Sequence, residues 1–264
     1  MEILVLLSGI VDPNARLSDA RIDRLSLGEE SGDETRRLSP FDEAALEIAL
    51  QWRDLDAATR ITAAVVGTRA CDKLTQAVAA FRPNLTVRID IASTLFWDPA
   101  AAVAALGALF CGHGIPRPDL VLICREFGDC DNGVLPGYLA EAVGWRFVGQ
   151  VQQIRPEGDR LRLTRSRGGA EEQIALAPPL MASMVNDRGN RLRHPLMKNV
   201  ILAKRDPVQA LPPAMSAGHA TARLVHAGPA PARKRRAECQ WLRGTADEQA
   251  DALATLLRAE MARA

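Results

Sequence analysis

The densest concentration of residues able to do chemistry is Cys124-Arg125-Glu126-Phe127-Gly128-Asp129-Cys130-Asp131-Asn132-Gly133, between an apolar run and a helix-forming segment that opens near Val134 and Leu135. In open parallel sheets, ligands sit beyond the carboxyl ends of strands, and the free N–H groups at a helix start attract a phosphate. Gly128 and Gly133 permit the tight path such a loop needs. The loop matches neither a Walker nor a GxGxxG pattern. By spacing alone, an ordinary strand-to-helix connection with two capping acids therefore stands slightly ahead of a phosphate site. Asp129 and Asp131 have no histidine, lysine or nucleophile close in sequence, which favours capping or ribose contacts over acid–base catalysis. Cys124 and Cys130 fit neither a redox pair nor a metal knuckle and read as small buried residues.

A second charged stretch runs from Asn186 through Arg188, Gly189, Asn190, Arg191, Arg193 and His194 to Pro195, ahead of the apolar run Val200-Ile201-Leu202. It suits a partner-recognition loop and a solvated connector equally well. The basic run Arg233–Arg236 has no aromatic neighbours and lies in a Pro/Ala-rich stretch, so it reads as solvated rather than as a nucleic-acid contact.

The elements that must position these loops follow from periodicity. Ile3–Leu7, Arg60–Val66, Thr86–Ile91 and Asp119–Cys124 are short strands with apolar cores. They alternate with helices over Ser39–Trp52, Cys71–Phe81, Pro99–Gly112 and Leu135–Val143. That alternation predicts an α/β fold with a doubly wound, mostly parallel sheet. The polar stretch Ser8–Ser39, centred on Gly28–Gly32, is a long loop with room for a small hairpin. Phe147–Ile154, Arg160–Arg165 and Glu172–Leu176 alternate between turn residues and predict an added antiparallel meander. Residues 1–205 thus form the α/β domain with its antiparallel extension, and 206–264 form a Pro/Ala/Gly-rich C-terminal arm followed by a helix. In that helix Ala250, Leu253, Leu256, Leu257 and Met261 share one stripe. A lone helix cannot bury a stripe against itself, so it calls for another chain or a domain of its own.

Composition excludes several classes. A net charge of +1 and 4% aromatic residues give no case for nucleic acid. Five cysteines without a CxxC pair favour reduced thiols, and four scattered histidines form no zinc site. The opening run Ile3–Leu7 is too short for a membrane span or a signal peptide, so no membrane insertion is expected. A cytoplasmic location follows, or the mitochondrial matrix if a transit peptide was removed.

Four segments, in order and in register, resemble the electron-transfer flavoprotein β subunit family. Glu2–Leu7 with Val11-Asp12-Pro13-Asn14-Ala15 is similar to the family's first strand and its VPDPNA-type loop. Ser39-Pro40-Phe41-Asp42-Glu43 through Glu47 resembles NPFDEYALE. Arg125 through Glu141 resembles GRQxxDGDTGQVGPxLAE, and Asn190 through Lys204 is similar to NEPRYPSLPGIMKAK.

This resemblance implies a non-enzymatic electron carrier, the β half of a heterodimer with an α subunit. FAD would be held mainly by that partner, with its flavin near the loop of Asp12, Pro13 and Asn14, which runs on to Leu17. A nucleotide pocket, filled by AMP in simple carriers and by a second FAD in bifurcating relatives, would draw on Leu6, Ser39, Pro40, Phe41, Asp42, Val66, Cys124, Arg125, Phe127, Gly128, Asp129, Asp131, Asn132, Gly133, Val134 and Leu135. The Asn186–His194 loop would meet a flavoprotein dehydrogenase donor, a membrane quinone oxidoreductase would accept the electrons, and the C-terminal arm would embrace the α subunit. The rival readings are an adenine-nucleotide-binding module without electron transfer and a component of a bifurcating carrier.

The departures have chemical content. Cys124, Glu126, Phe127 and Val134 replace the family's glycine, glutamine, alanine and glutamine, which makes the pocket bulkier and poorer in donors and sets it against AMP. Gly189 replaces a leucine in the docking loop, which predicts recognition through Arg188, Arg191 and Arg193 rather than through an apolar anchor.

Overall fold

The computed structural model describes residues 1–14, 36–91, 95, 98–111, 114–129, 131, 133–212 and 241–262. The elements in chain order are β1 (Glu2–Leu7), β2 (Ile10–Val11), β3 (Arg36–Arg37), α1 (Pro40–Leu55), β4 (Arg60–Val66), α2 (Asp72–Ala79), β5 (Leu85–Ile89), α3 (Pro99–Gly107), β6 (Leu120–Cys124), α4 (Leu135–Ala142), β7 (Arg146–Val151), β8 (Gln153–Glu157), β9 (Arg160–Arg167), β10 (Ala170–Leu176), β11 (Leu180–Met184), α5 (Met197–Ala203), β12 (Ala210–Leu211) and α6 (Ala246–Met261). Gly28–Gly32, Cys130, Asn132, Arg233–Arg236 and Cys239 lie outside the described residues.

Seven strands form one sheet in the order β12-β5-β4-β1-β6-β11-β7, with every pairing parallel. Alternate side chains of β1 serve two cores. Ile3, Val5 and Leu7 pack with α1, α2 and the second sheet, while Leu4 and Leu6 pack with α3 and α4. Both faces are therefore covered, as buried parallel strands require, and this is why β1 and β6 read as unbroken apolar runs. The chain builds outward from β1 through β4 to β5, then crosses back to place β6 on the other side of β1. The strand order reverses between β1 and β6, so the ligand crevice of such a sheet opens at their carboxyl ends.

The antiparallel sheet has the order β10-β9-β8 and buries Ile154, Leu161 and Leu163 in the α1 side of the core. The meander differs from its expected form at its first strand. Phe147–Ile154 is not one strand but two. β7 joins the parallel sheet beside β11, with a register shift near Gln150, whose φ is +62°, and β8 then enters the antiparallel sheet. β11 is fully buried and was not foreseen. The long loop after β1 is closed at its base by the antiparallel pair β2–β3, with Ile10 opposite Arg37 and Val11 opposite Arg36.

The chain divides into two compact units, Met1–Ala227 and Gly228–Ala264. The stretch expected to begin the arm contributes β12 to the edge of the parallel sheet, opposite Arg88 and Ile89. The second unit contains α6, started by a reciprocal cap in which the Thr245 side chain accepts from the Glu248 N–H and the Glu248 carboxylate accepts from the Thr245 N–H. No residue of α6 is buried.

Candidate functional site

The crevice floor is built where β1 ends. Ser8 is buried, and its N–H points to Asp42 Oδ1 at 3.3 Å. Asp42 is brought there by the start of α1. Ser39 is the N-cap, Pro40 occupies the first turn, and the Asp42 carboxylate accepts from both the Ser39 N–H at 2.9 Å and the Ser39 hydroxyl at 2.7 Å. Burial pushes the Asp42 pKa up, opposed by these hydrogen bonds. Cys124 ends β6 against the same carboxylate, and burial with the neighbouring Asp42 charge raises its thiol pKa well above the ordinary value. That thiol is protonated and inert, as expected for a small buried residue.

The loop above is organised by its two other acids. Asp129 accepts from the Val11 N–H at 2.9 Å and pairs with Arg36 at 2.7 Å, so it ties the loop to the β2–β3 ladder. The Asp131 Oδ1 accepts from the N–H groups of Gly133, Val134 and Leu135, and its Oδ2 accepts from the Phe127 N–H at 2.9 Å. Gly128 (φ +79°) and Gly133 (φ +95°) sit in the left-handed region, the conformation expected of them. Phe127 is 0% exposed and packs with Cys124, Leu135 and Leu139.

Half of the expected pocket residues are thus brought together: Ser39, Asp42, Cys124, Phe127, Gly128, Asp129, Asp131 and Gly133. The side chains of Leu6, Val66 and Leu135 belong to the core instead. Pro40 is exposed, Phe41 is half-buried, and Val134 points outward. Arg125 is half-exposed, 3.7 Å from Glu126. Sequence reasoning missed Arg36. Its only local signal is its position just ahead of the Ser39 cap, and its partner is 93 residues away. Asp12, Pro13 and Asn14 form a tight turn closed by Asn14 N–H to Asp12 Oδ1 at 3.0 Å, with Pro13 and Asn14 exposed.

The second charged loop is only partly what its composition suggests. Asn190 is fully buried. Its Oδ1 accepts from the Asp187 N–H, and its Nδ2 donates to the carbonyls of Gln152 and Val185. Arg193 turns inward to Glu47, which is 5% exposed, and also reaches Asp54. Hydrogen bonding to Glu47 raises its already high pKa. Asn186, Arg188, Gly189, Arg191 and His194 remain exposed, and so do Leu196 (70%) and Met197 (73%) just beyond them. Removing Arg193 leaves Glu47 buried with weaker partners. Arg193→Ala is expected to cost about 1–2 kcal/mol in urea unfolding, reduced from the fully buried case because the guanidinium is half-exposed. Arg191→Ala should change stability by less than about 0.5 kcal/mol.

Among the described residues no group of three or more His, Cys, Asp or Glu could hold a metal ion.

The sequence profile of the electron transfer flavoprotein domain matches residues 30–215, well over half of the chain. Several relatives are each named electron transfer flavoprotein subunit beta. One from Bradyrhizobium diazoefficiens is 23% identical over 79% of this chain and 80% of its own length. A mitochondrial one from Oryza sativa subsp. indica is 26% identical over 81% and 82%, and one from Homo sapiens is 22% identical over 67% and 68%. The match over residues 30–215, together with these relatives, places the chain in the electron transfer flavoprotein family, as a member of its β-subunit branch, and the seven-stranded parallel sheet is consistent with it.

Proposed function

We propose that this chain is the β half of a heterodimeric electron carrier, paired with an α subunit that holds most of the FAD. The observation that carries the pairing is α6. Its stripe of Leu253, Leu256, Leu257 and Met261 is exposed along its whole length, which is the signature of a surface awaiting another chain. The exposed turn Asp12–Asn14 is the part of this chain offered to the flavin, and the redox chemistry belongs to that cofactor, while the protein sets its position and electrostatics. Co-expression with a candidate α subunit should yield a yellow one-to-one complex carrying one FAD. A colourless chain that ignores every α subunit sinks the reading.

The donor is a flavoprotein dehydrogenase that docks on the surface running from Asn186 to Met197, and the acceptor is a membrane quinone oxidoreductase. A carrier in this role works in the cytoplasm or the mitochondrial matrix. No described helix is long and apolar enough to cross a membrane. With Arg193 committed to Glu47, the exposed face combines Arg188 and Arg191 with the apolar pair Leu196 and Met197. Gly189 therefore does not leave the surface without an apolar anchor. Two large exposed side chains flanked by arginines make a small hot spot with a charged rim. Leu196→Ser with Met197→Ser should slow donor-to-flavin transfer at least about tenfold, with flavin content unchanged. Arg188→Ala with Arg191→Ala should chiefly flatten the salt dependence of the rate. Unchanged rate and salt slope in both variants would place docking elsewhere.

A further inference from the structure

We propose that Arg36 is a positioning residue for the flavin: with Asp129 it clamps the β2–β3 ladder to the crevice loop and so fixes where the turn Asp12–Asn14 stands. The inference rests on the β-subunit reading above, in which that turn is offered to an FAD held by the α subunit. The ladder has two rungs, Ile10 opposite Arg37 and Val11 opposite Arg36. A two-stranded ribbon is marginal at best on its own, so the place of this one depends on what ties it to the body of the domain. The rung at Ile10 is held by packing. Gly9, with φ +63°, lets the chain approach α2 so closely that a Cβ there would meet Leu74 Cδ2 at 2.4 Å. The rung at Val11 is held by Asp129, which takes one donor from each strand. Its Oδ1 accepts from the Val11 N–H at 2.9 Å, and its Oδ2 accepts from the Arg36 guanidinium at 2.7 Å. The Arg36 side chain is only 10% exposed, so solvent screens this pair less than an open surface pair.

The turn begins at the residue after Val11, and it closes on itself through Asn14 N–H to Asp12 Oδ1. A displacement of Val11 therefore reaches the turn with no residue between to absorb it. The other end of the clamp is firm, because Phe127, two residues before Asp129, is buried in the core beside β6. The second tie to the turn is weak. Arg37 Nε lies 4.0 Å from Asp12 Oδ1, and the arginine side chain is half-exposed. Pro13 and Asn14 are exposed and so open to a ring carried by the partner.

The test compares Arg36→Ala with Arg37→Ala, its neighbour on the same strand. In the chain alone, hydrogen exchange at the Val11 and Asn14 amides should quicken at least about tenfold in Arg36→Ala, the size expected from losing a hydrogen bond to a charged group. The amides of β4 and β6 should keep their wild-type rates. In the full heterodimer, FAD should dissociate about tenfold more readily, with a changed visible circular dichroism of the flavin and unchanged affinity for the α subunit. Arg37→Ala should move both readouts by less than about twofold. Wild-type exchange in Arg36→Ala overturns the clamp. Faster exchange with wild-type flavin retention and spectrum overturns the positioning role, and so does an equal loss in Arg37→Ala. Each of these outcomes within a yellow complex leaves the carrier reading standing, whereas a wild-type chain that forms no yellow complex with any α subunit sinks that reading and the flavin role with it. If Arg36→Ala does not fold, Arg36→Gln, which keeps most of the stem and removes the charge, is judged by the same outcomes.

Discussion

Replacing Asp42 with alanine should lower stability by about 3 kcal/mol, the largest loss expected from any single site in the crevice. The carboxylate holds three donors, the Ser8 N–H, the Ser39 N–H and the Ser39 hydroxyl, all in a buried place that water does not reach. Each buried donor left alone costs about 1–3 kcal/mol, and losing the reciprocal cap of α1 adds about 1 kcal/mol. Part of this is returned, because burying the charge was itself unfavourable. For a domain of this size, a loss of about 3 kcal/mol lowers the melting temperature by roughly 6–12 °C, measurable by calorimetry. Asp42→Asn separates charge from shape. The folded pKa of Asp42 is raised, so its contribution is fully present below the ordinary carboxylate value of 3.8 and is lost as pH rises through the folded value. The stability gap between wild type and Asp42→Asn should therefore narrow as pH rises through that window. A gap that widens would mean that Asp42 is held ionised by its hydrogen bonds rather than pushed towards its neutral form.

A second large effect is expected at α6. Leu253→Asp with Leu257→Asp places two charges one turn apart on the exposed stripe. Neither leucine is buried in the chain, so the melting temperature of the isolated protein should move little. Pairing with the α subunit should weaken at least about 100-fold, since each leucine taken from water contributes about 1.5–3 kcal/mol and an unpaired buried carboxylate costs more. Sedimentation or surface-binding titration of the two subunits reads this directly. Undiminished binding would mean that the stripe faces solvent in the complex as well.

What the sequence revealed follows the reach of its signals. β1, β4 and β6 were legible because strands buried on both faces read as nearly continuous apolar runs. The start of α1 was legible because its cap, proline and acids fall within five residues of one another. β11 was not, because Leu180–Met184 contains Ala182 and Ser183 and follows two prolines. Its status as a strand comes from β6 and β7 on either side of it. The same limit applies to β7, whose alternation says nothing about which sheet it joins. In the crevice, the capping role of Asp131 was readable because its partners lie within four residues. The Asp129–Arg36 and Glu47–Arg193 pairs span 93 and 146 residues, and no local pattern announces either.

The junction between β7 and β8 also holds the loop from Asn186 to His194 in place. Where β7 gives way to β8, Gln152 accepts from Asn190 through its carbonyl and donates from its side chain to Asp187, while Gln51 of α1 donates to the Gly189 carbonyl. The loop is thus pinned from within by groups that face the core, and its outward side chains bear no part of its weight. Mutation can explore positions 188, 191, 194, 196 and 197 without disturbing the path of the chain. Backbone path and outward chemistry are carried by different residues of one short segment, so the surface can be rewritten without refashioning the fold beneath.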